Sequence, residues 1–229
     1  MTQAILPGDP PIPILLRRSG RARRISLRVS RLDGRVTLSL PNWTPETEAM
    51  DFARQKEPWI RQNLAQQAQA QTPGIGGVIP FRGMDVPIIA GRVRSAKLQD
   101  GAMIVPPRDA MVPARVAAFL KLQARVHLTD ASVRYARALG VDIGRITLRD
   151  TRSRWGSCSA DGNLMYSWRL IMAPAEVLAY VAAHEVAHRV EMNHSAAFWD
   201  VVQSVFPEHA ATRTWLRTDG HALHRWNFK

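Results

Sequence analysis

One eleven-residue stretch, HEVAHRVEMNH at 184–194, constrains the chain more than any other. It follows PAEVLAYVAA, which is apolar on nearly every side. The run is therefore predicted to be a buried helix over 174–192, opened by Pro174 near its first turn. On such a helix His184 and His188 lie one turn apart on the same face, so both imidazoles can reach one ion. Glu185 then stands beside the ion, which is the arrangement of the H-E-x-x-H motif, where the glutamate is general base for a zinc-activated water. A catalytic zinc needs a third protein ligand, and His194 is the candidate six residues beyond His188. Asn193 tolerates the left-handed conformation that ends helices, so the chain is expected to turn back there. Ser195 then caps a helix SAAFWDVVQSVF, predicted to bury Phe198, Trp199, Val202 and Val205. Glu208 and His209 are competing third ligands, but a whole helix separates them from the motif, and they rank below His194. The bland alternative is a set of core histidines satisfied by hydrogen bonds.

Elsewhere the chain alternates short strands with helices. ISLRV (25–29) and VTLSL (36–40) show period-two hydrophobicity on either side of Asp33-Gly34, which predicts a β-hairpin with one buried face. The preceding run RRSGRARRISLRVSR carries Arg17, Arg18, Arg21, Arg23, Arg24, Arg28 and Arg31, expected on the wet face. With a net charge of +12, this run is a candidate patch for DNA or another polyanion. A solvated arginine-rich face is an equal reading. Thr44 and Pro45 are placed as N-cap and N1 of a helix that Pro58 kinks or splits. AQQAQAQTPGIGG (65–77) reads as a linker, and strands are expected at 86–89 and 93–98 before a second turn at Asp100-Gly101. Prolines 106, 107 and 113 suggest a domain boundary. The segment 112–139 has helical spacing, with Val116, Phe119, Leu120, Val126 and Leu128 on one face, and Gly140 ends it. Strands at 145–150 and 162–168 flank TRSRWGSCSAD.

No apolar run approaches the ~20 residues of a membrane span, and the first residues lack the layout of a secretory signal. The single Cys158 cannot form an internal disulfide, so a cytoplasmic, reducing setting is expected.

TRSRWGSCSADGNLMYSWRLIMAP (151–174) followed by YVAAHEVAHRVEMNHSAAFW (180–199) resembles the YgjP-like metallopeptidases, a family similar to the SprT-like and WLM-type zinc proteases. The resemblance extends more loosely to the N-terminal arginine run and to Pro58-Trp59-Ile60. It implies a zincin-like fold with His184, His188 and His194 as zinc ligands and Glu185 as base. The histidine spacing also matches the metzincin pattern, but Glu191 stands where that pattern has glycine and no Met-turn follows. In zincins a strand beside the active-site helix can pair with an extended substrate. Arg154, Trp155, Gly156, Ser157, Cys158 and Tyr166 are accordingly expected to line the cleft. Arg154, Tyr166, His221 and His224 are candidate oxyanion donors.

The expectation is an α+β protein: a β-rich domain over 1–111, then a zincin-like catalytic domain over 112–229. One Zn²⁺ per chain would serve hydrolysis of protein or peptide substrates, with nucleic-acid-associated proteins as one class. A nucleic-acid-binding or adaptor protein with a non-catalytic zinc is the alternative, and a zinc hydrolase of other amides or esters is a third.

Overall fold

The computed structural model describes residues 2–30, 34–65 and 70–228. The chain separates into two compact units, residues 1–69 and 70–229, and the α+β class is as expected.

The first unit is a four-stranded sheet with two helices. Strands β1 (Thr2–Leu6), β2 (Ile12–Arg18), β3 (Ser26–Val29) and β4 (Val36–Leu40) pair in the order β1-β2-β4-β3. The expected hairpin is β3–β4, antiparallel with Leu27 opposite Leu38. Asp33 of its turn lies outside the described residues, while Gly34 has the positive φ of 66° that suits glycine. β1 and β2 were not anticipated, because Pro13 and the continuous apolar run around it hide the alternation. Ile12, Ile14 and Leu16 nevertheless face inward while Pro13 and Arg17 face out. Helices α1 (Glu46–Gln55) and α2 (Glu57–Ala65) cover the buried face, and the helical run does break just before Pro58. The first helix begins one residue later than expected, with Pro45 in extended backbone at the N-cap and no side-chain cap from Thr44. Leu6, Ile14, Leu38, Leu40, Ala49 and Ile60 form its core.

The second unit begins within the Gln/Ala segment read as a linker, not at 111–112. The physical reason is a shared core. Strands β5 (Val78–Phe81), β6 (Met84–Ala90), β7 (Lys97–Gln99) and β8 (Ala102–Val105) form a sheet ordered β5-β6-β8-β7. Their Ile79, Phe81, Ile88, Met103 and Val105 pack in one cluster with Val112, Val116 and Leu120 of α3 (Val112–Leu139). The Arg82 and Gly83 amides also donate to the carbonyls of Ile171 and Met172, tying the β5–β6 turn to the segment before the motif helix. Pro113 therefore opens a helix and does not separate domains. α3 is one 28-residue helix closed by Gly140 in left-handed conformation (φ 65°). Its buried stripe runs through Leu120, Ala124, Leu128 and Tyr135, and Val126, off that stripe, is exposed.

A smaller sheet, β10 (Gly156–Cys158), β11 (Leu164–Ser167) and β9 (Ile146–Arg149), follows in the order β10-β11-β9. This leaves β10 at the edge, beside α4 (Ala175–Ala187). α5 (Ala196–Val205) and α6 (His209–Thr218) also pack on α4. Alanines 182, 183 and 187, all fully buried, let these neighbours approach closely. Among the described residues no helix is long and apolar enough to cross a membrane.

Candidate metal centre

α4 carries His184 and Glu185 in its last turn and ends at Ala187 with His188 as its C-cap, five residues short of the expected end. Arg189 fixes the exit: its guanidinium donates to the carbonyls of Asp142, before β9, and Ala160, after β10, tying the turn to both loops. The chain then reverses without a left-handed Asn193. Instead the Asn193 side-chain oxygen accepts from the Ser195 amide at 2.8 Å, an Asx turn. Ser195 caps α5 by accepting from the Phe198 amide. Phe198, fully buried, sets its ring 4.5–4.9 Å from the rings of all three histidines.

This reversal brings His194 over the helix end. The Nε2 atoms of His184 and His194 are 3.0 Å apart, and one nitrogen from each of His184, His188 and His194 lies within 4.8 Å of the others. Among the described residues no other group of three His, Cys, Asp or Glu side chains can share an ion. Two imidazole lone pairs at that distance repel unless a cation or a proton lies between them. A tetrahedral zinc with bonds of about 2.0–2.1 Å would space two nitrogens by about 3.3 Å. His188 donates from Nδ1 to the Glu191 carbonyl at 3.1 Å, which leaves its Nε2 lone pair free to ligate. Burial, then the neighbouring His188 and His194, pushes His184 down to about 3, so it stays in the neutral form that binds metal. The donor set fits an ion of zinc's type.

Glu185 is 6% exposed. Burial raises its carboxyl to about 8, with the Arg154 charge acting in the opposite direction. It packs against β10 so closely that a Cβ on Gly156 would lie 2.5 Å from its Oε1. Only glycine lets the edge strand come this near the carboxylate. The space over the four residues divides into two lobes. One of about 440 Å³ is lined by Ser153, Arg154, Gly156, Ser157, Cys158, Met192 and the histidines. The other, about 250 Å³, is lined by Arg154, Trp155, Gly156, Tyr180, Val181, His184, Glu185 and Leu216.

The model of the YgjP-like metallopeptidase domain matches residues 23–219. The chain belongs to the YgjP-like family. It is a metallopeptidase. Among solved structures it is similar to the metallopeptidase zymogen of Pyrococcus abyssi abylysin, at 21% identity, over 40% of this chain and 94% of that one, with a TM-score of 0.36. No curated protein matches it.

In this YgjP-like chain, Arg154 to Cys158 line the two lobes, whereas Tyr166 lines neither. Its side chain is fully buried and its hydroxyl bonds with Ser132 at 2.9 Å, because alternation along β11 turns it into the core. Burial raises its phenol far above the ordinary range. His224 stacks behind Trp155 at 4.9 Å, and neither it nor His221 lines either lobe. His209 stacks on Trp199, outside the histidine cluster. Tyr180, Val181 and Leu216 line the cleft without having been anticipated. Their helical spacing reads as ordinary core. Arg17, Arg18, Arg21, Arg23, Arg24 and Arg28 are all exposed in the first unit, and Arg31 lies outside the described residues. Arg18 is engaged locally, donating to the carbonyls of Asn42 and Thr44.

Proposed function

We propose that the YgjP-like chain holds one zinc ion on His184, His188 and His194 and hydrolyses peptide bonds with Glu185 as general base. The observation that carries this reading is the convergence of three imidazole nitrogens beside a buried carboxylate at an open cleft. Zinc, when bound, is a Lewis acid that lowers the pKa of a coordinated water to about 7. Glu185 takes a proton from the attacking water as its oxygen bonds to the carbonyl carbon, and returns it to the amide nitrogen as the C–N bond breaks. Arg154, which lines both lobes, stabilises the negative charge that develops on the carbonyl oxygen. The open edge of β10 is suited to pair with an extended substrate backbone.

The substrates we infer are proteins held on nucleic acid or another polyanion, in a reducing cytoplasm. Support comes from the exposed arginines of the first unit and the lone free cysteine. Cleavage of an unfolded protein by the zinc-loaded chain, with and without single-stranded DNA, tests both parts, with Glu185→Gln as the blank. Cleavage by the wild type alone supports the peptidase chemistry, and stimulation by DNA supports the substrate class. Equal cleavage by the blank contradicts the role of Glu185.

A further inference from the structure

The smaller lobe of the cleft differs in character from the larger. Its walls beyond the shared residues are Trp155, Tyr180, Val181 and Leu216, all apolar or aromatic, and Arg154 is the one basic group at its rim. These walls are held from behind. Trp155 stacks on His224 at 4.9 Å, its carbonyl accepts from the Ser167 amide, and Gly220 sits so close that a Cβ there would lie 3.1 Å from the indole. Tyr180 and Val181 are nearly fully buried on α4, and the Tyr180 ring packs 5.9 Å from Phe206. The pocket is thus preformed. At about 250 Å³ it falls below the ~300–1,000 Å³ of sites for drug-sized ligands, which leaves room for a single side chain.

Its position decides what enters. It opens beside His184 and Glu185, where the cleaved bond must lie. An extended peptide turns successive side chains to opposite sides. A backbone along β10 therefore sends one side chain flanking the cleaved bond into this pocket and the next one away. We propose that the pocket is the specificity subsite of the enzyme, selecting a large aliphatic or aromatic side chain on one side of the scissile bond. Leu216, near the end of α6, is one of its apolar walls. This rests on the peptidase reading above.

The test is a set of peptides identical except at the residues flanking the cleaved bond, with cleavage sites read by mass spectrometry. The zinc-loaded wild type is expected to favour Leu, Met or Phe over Ala at one flanking position by on the order of 10–100-fold in kcat/KM. Leu216→Trp, which fills the pocket, brings that ratio toward one. Leu216→Ala, which deepens it, shifts the preference toward Phe and Trp. Opposite shifts from two variants of one residue are not produced by misfolding. A flat profile, or a preference that neither variant moves, overturns the proposal. A readout independent of turnover is the binding of leucine hydroxamate against glycine hydroxamate to the zinc-loaded chain. At least tenfold tighter binding of the leucine compound, with no peptide cleaved, retains the pocket and removes the peptidase reading. Equal binding removes the pocket.

Discussion

The two units treat polar groups in opposite ways. Among the described residues the first unit fully buries a single polar side chain, Thr44, and exposes the arginines of its 17–28 run, while Arg61 is half-buried and paired with Glu57. The second buries Ser132, Ser167, Arg169, Glu185, His188 and Thr212. Removing a carboxylate or imidazole from water is costly unless a partner compensates. Arg169 is fully compensated: it bonds Asp150 and donates to the carbonyls of Leu223 and Trp226. Glu185 and the histidines instead face an open cleft. On the proposed function their arrangement serves chemistry more than stability, whereas the first unit presents a charged surface over an apolar core.

The contrast can be broken at several points. The largest effect is expected for Phe198→Ala, which removes the fully buried ring against which all three histidines rest. The cavity should cost about 3–5 kcal/mol, and zinc affinity should fall with it, both readable by thermal melts with and without zinc. Gly156→Ala comes next. Its Cβ displaces the Glu185 carboxylate, and a shift of about 1 Å at a reacting group costs on the order of 100-fold in rate. Since no histidine is touched, metal content should stay at the wild-type value. A variant as active as the wild type would show that Glu185 is not held where the chemistry needs it.

Asp150→Asn probes the compensated pair. It should destabilise the second unit by about 2 kcal/mol, the range for a hydrogen bond to a charged group. Burial acts to raise the Asp150 carboxyl, but the hydrogen bonds and charge of Arg169 outweigh it and hold it below the ordinary value. The stability this contributes is present above the unfolded value of about 3.9. It is lost as pH falls through the lower folded value. Acid denaturation below about pH 4 should accordingly be shallower in Asp150→Asn. The smallest effect on stability, within about 0.5 kcal/mol, is expected for joint replacement of Arg21, Arg23 and Arg24 by serine. Their effect belongs in binding: the slope of log affinity for single-stranded DNA against log salt should fall by about 2. An unchanged slope would reduce the patch to a solvated face.

What was legible in the sequence followed strong local rules. The motif helix, the return of His194, the Ser195 cap and the β3–β4 hairpin each rest on spacing or on one capping residue. The Gln/Ala composition of 65–77 reads as a linker, and the two units divide within it. The boundary expected at the prolines failed because proline opens a helix as readily as it ends a domain, and the shared core of β5–β8 with α3 leaves no local trace. The three residues of β10 are too few to show a period, although the glycine that admits Glu185 was in view. Tyr166 misled because one position along a strand exchanges cleft for core. The walls of the apolar pocket come from Trp155, α4 and α6, and only tertiary packing brings them together.

On the proposed function, the three histidines and Glu185 form one hydrolytic centre. The most direct measurement is a zinc titration of the metal-stripped wild type and of Glu185→Gln, recording bound metal and cleavage of an unfolded protein together. Both chains are expected to take up one zinc; wild-type activity should rise with it and level off at one equivalent, and Glu185→Gln should be slower by about 10²–10⁴-fold. Cleavage by Glu185→Gln at the wild-type rate, or wild-type activity that does not follow the zinc bound, would contradict the proposed function.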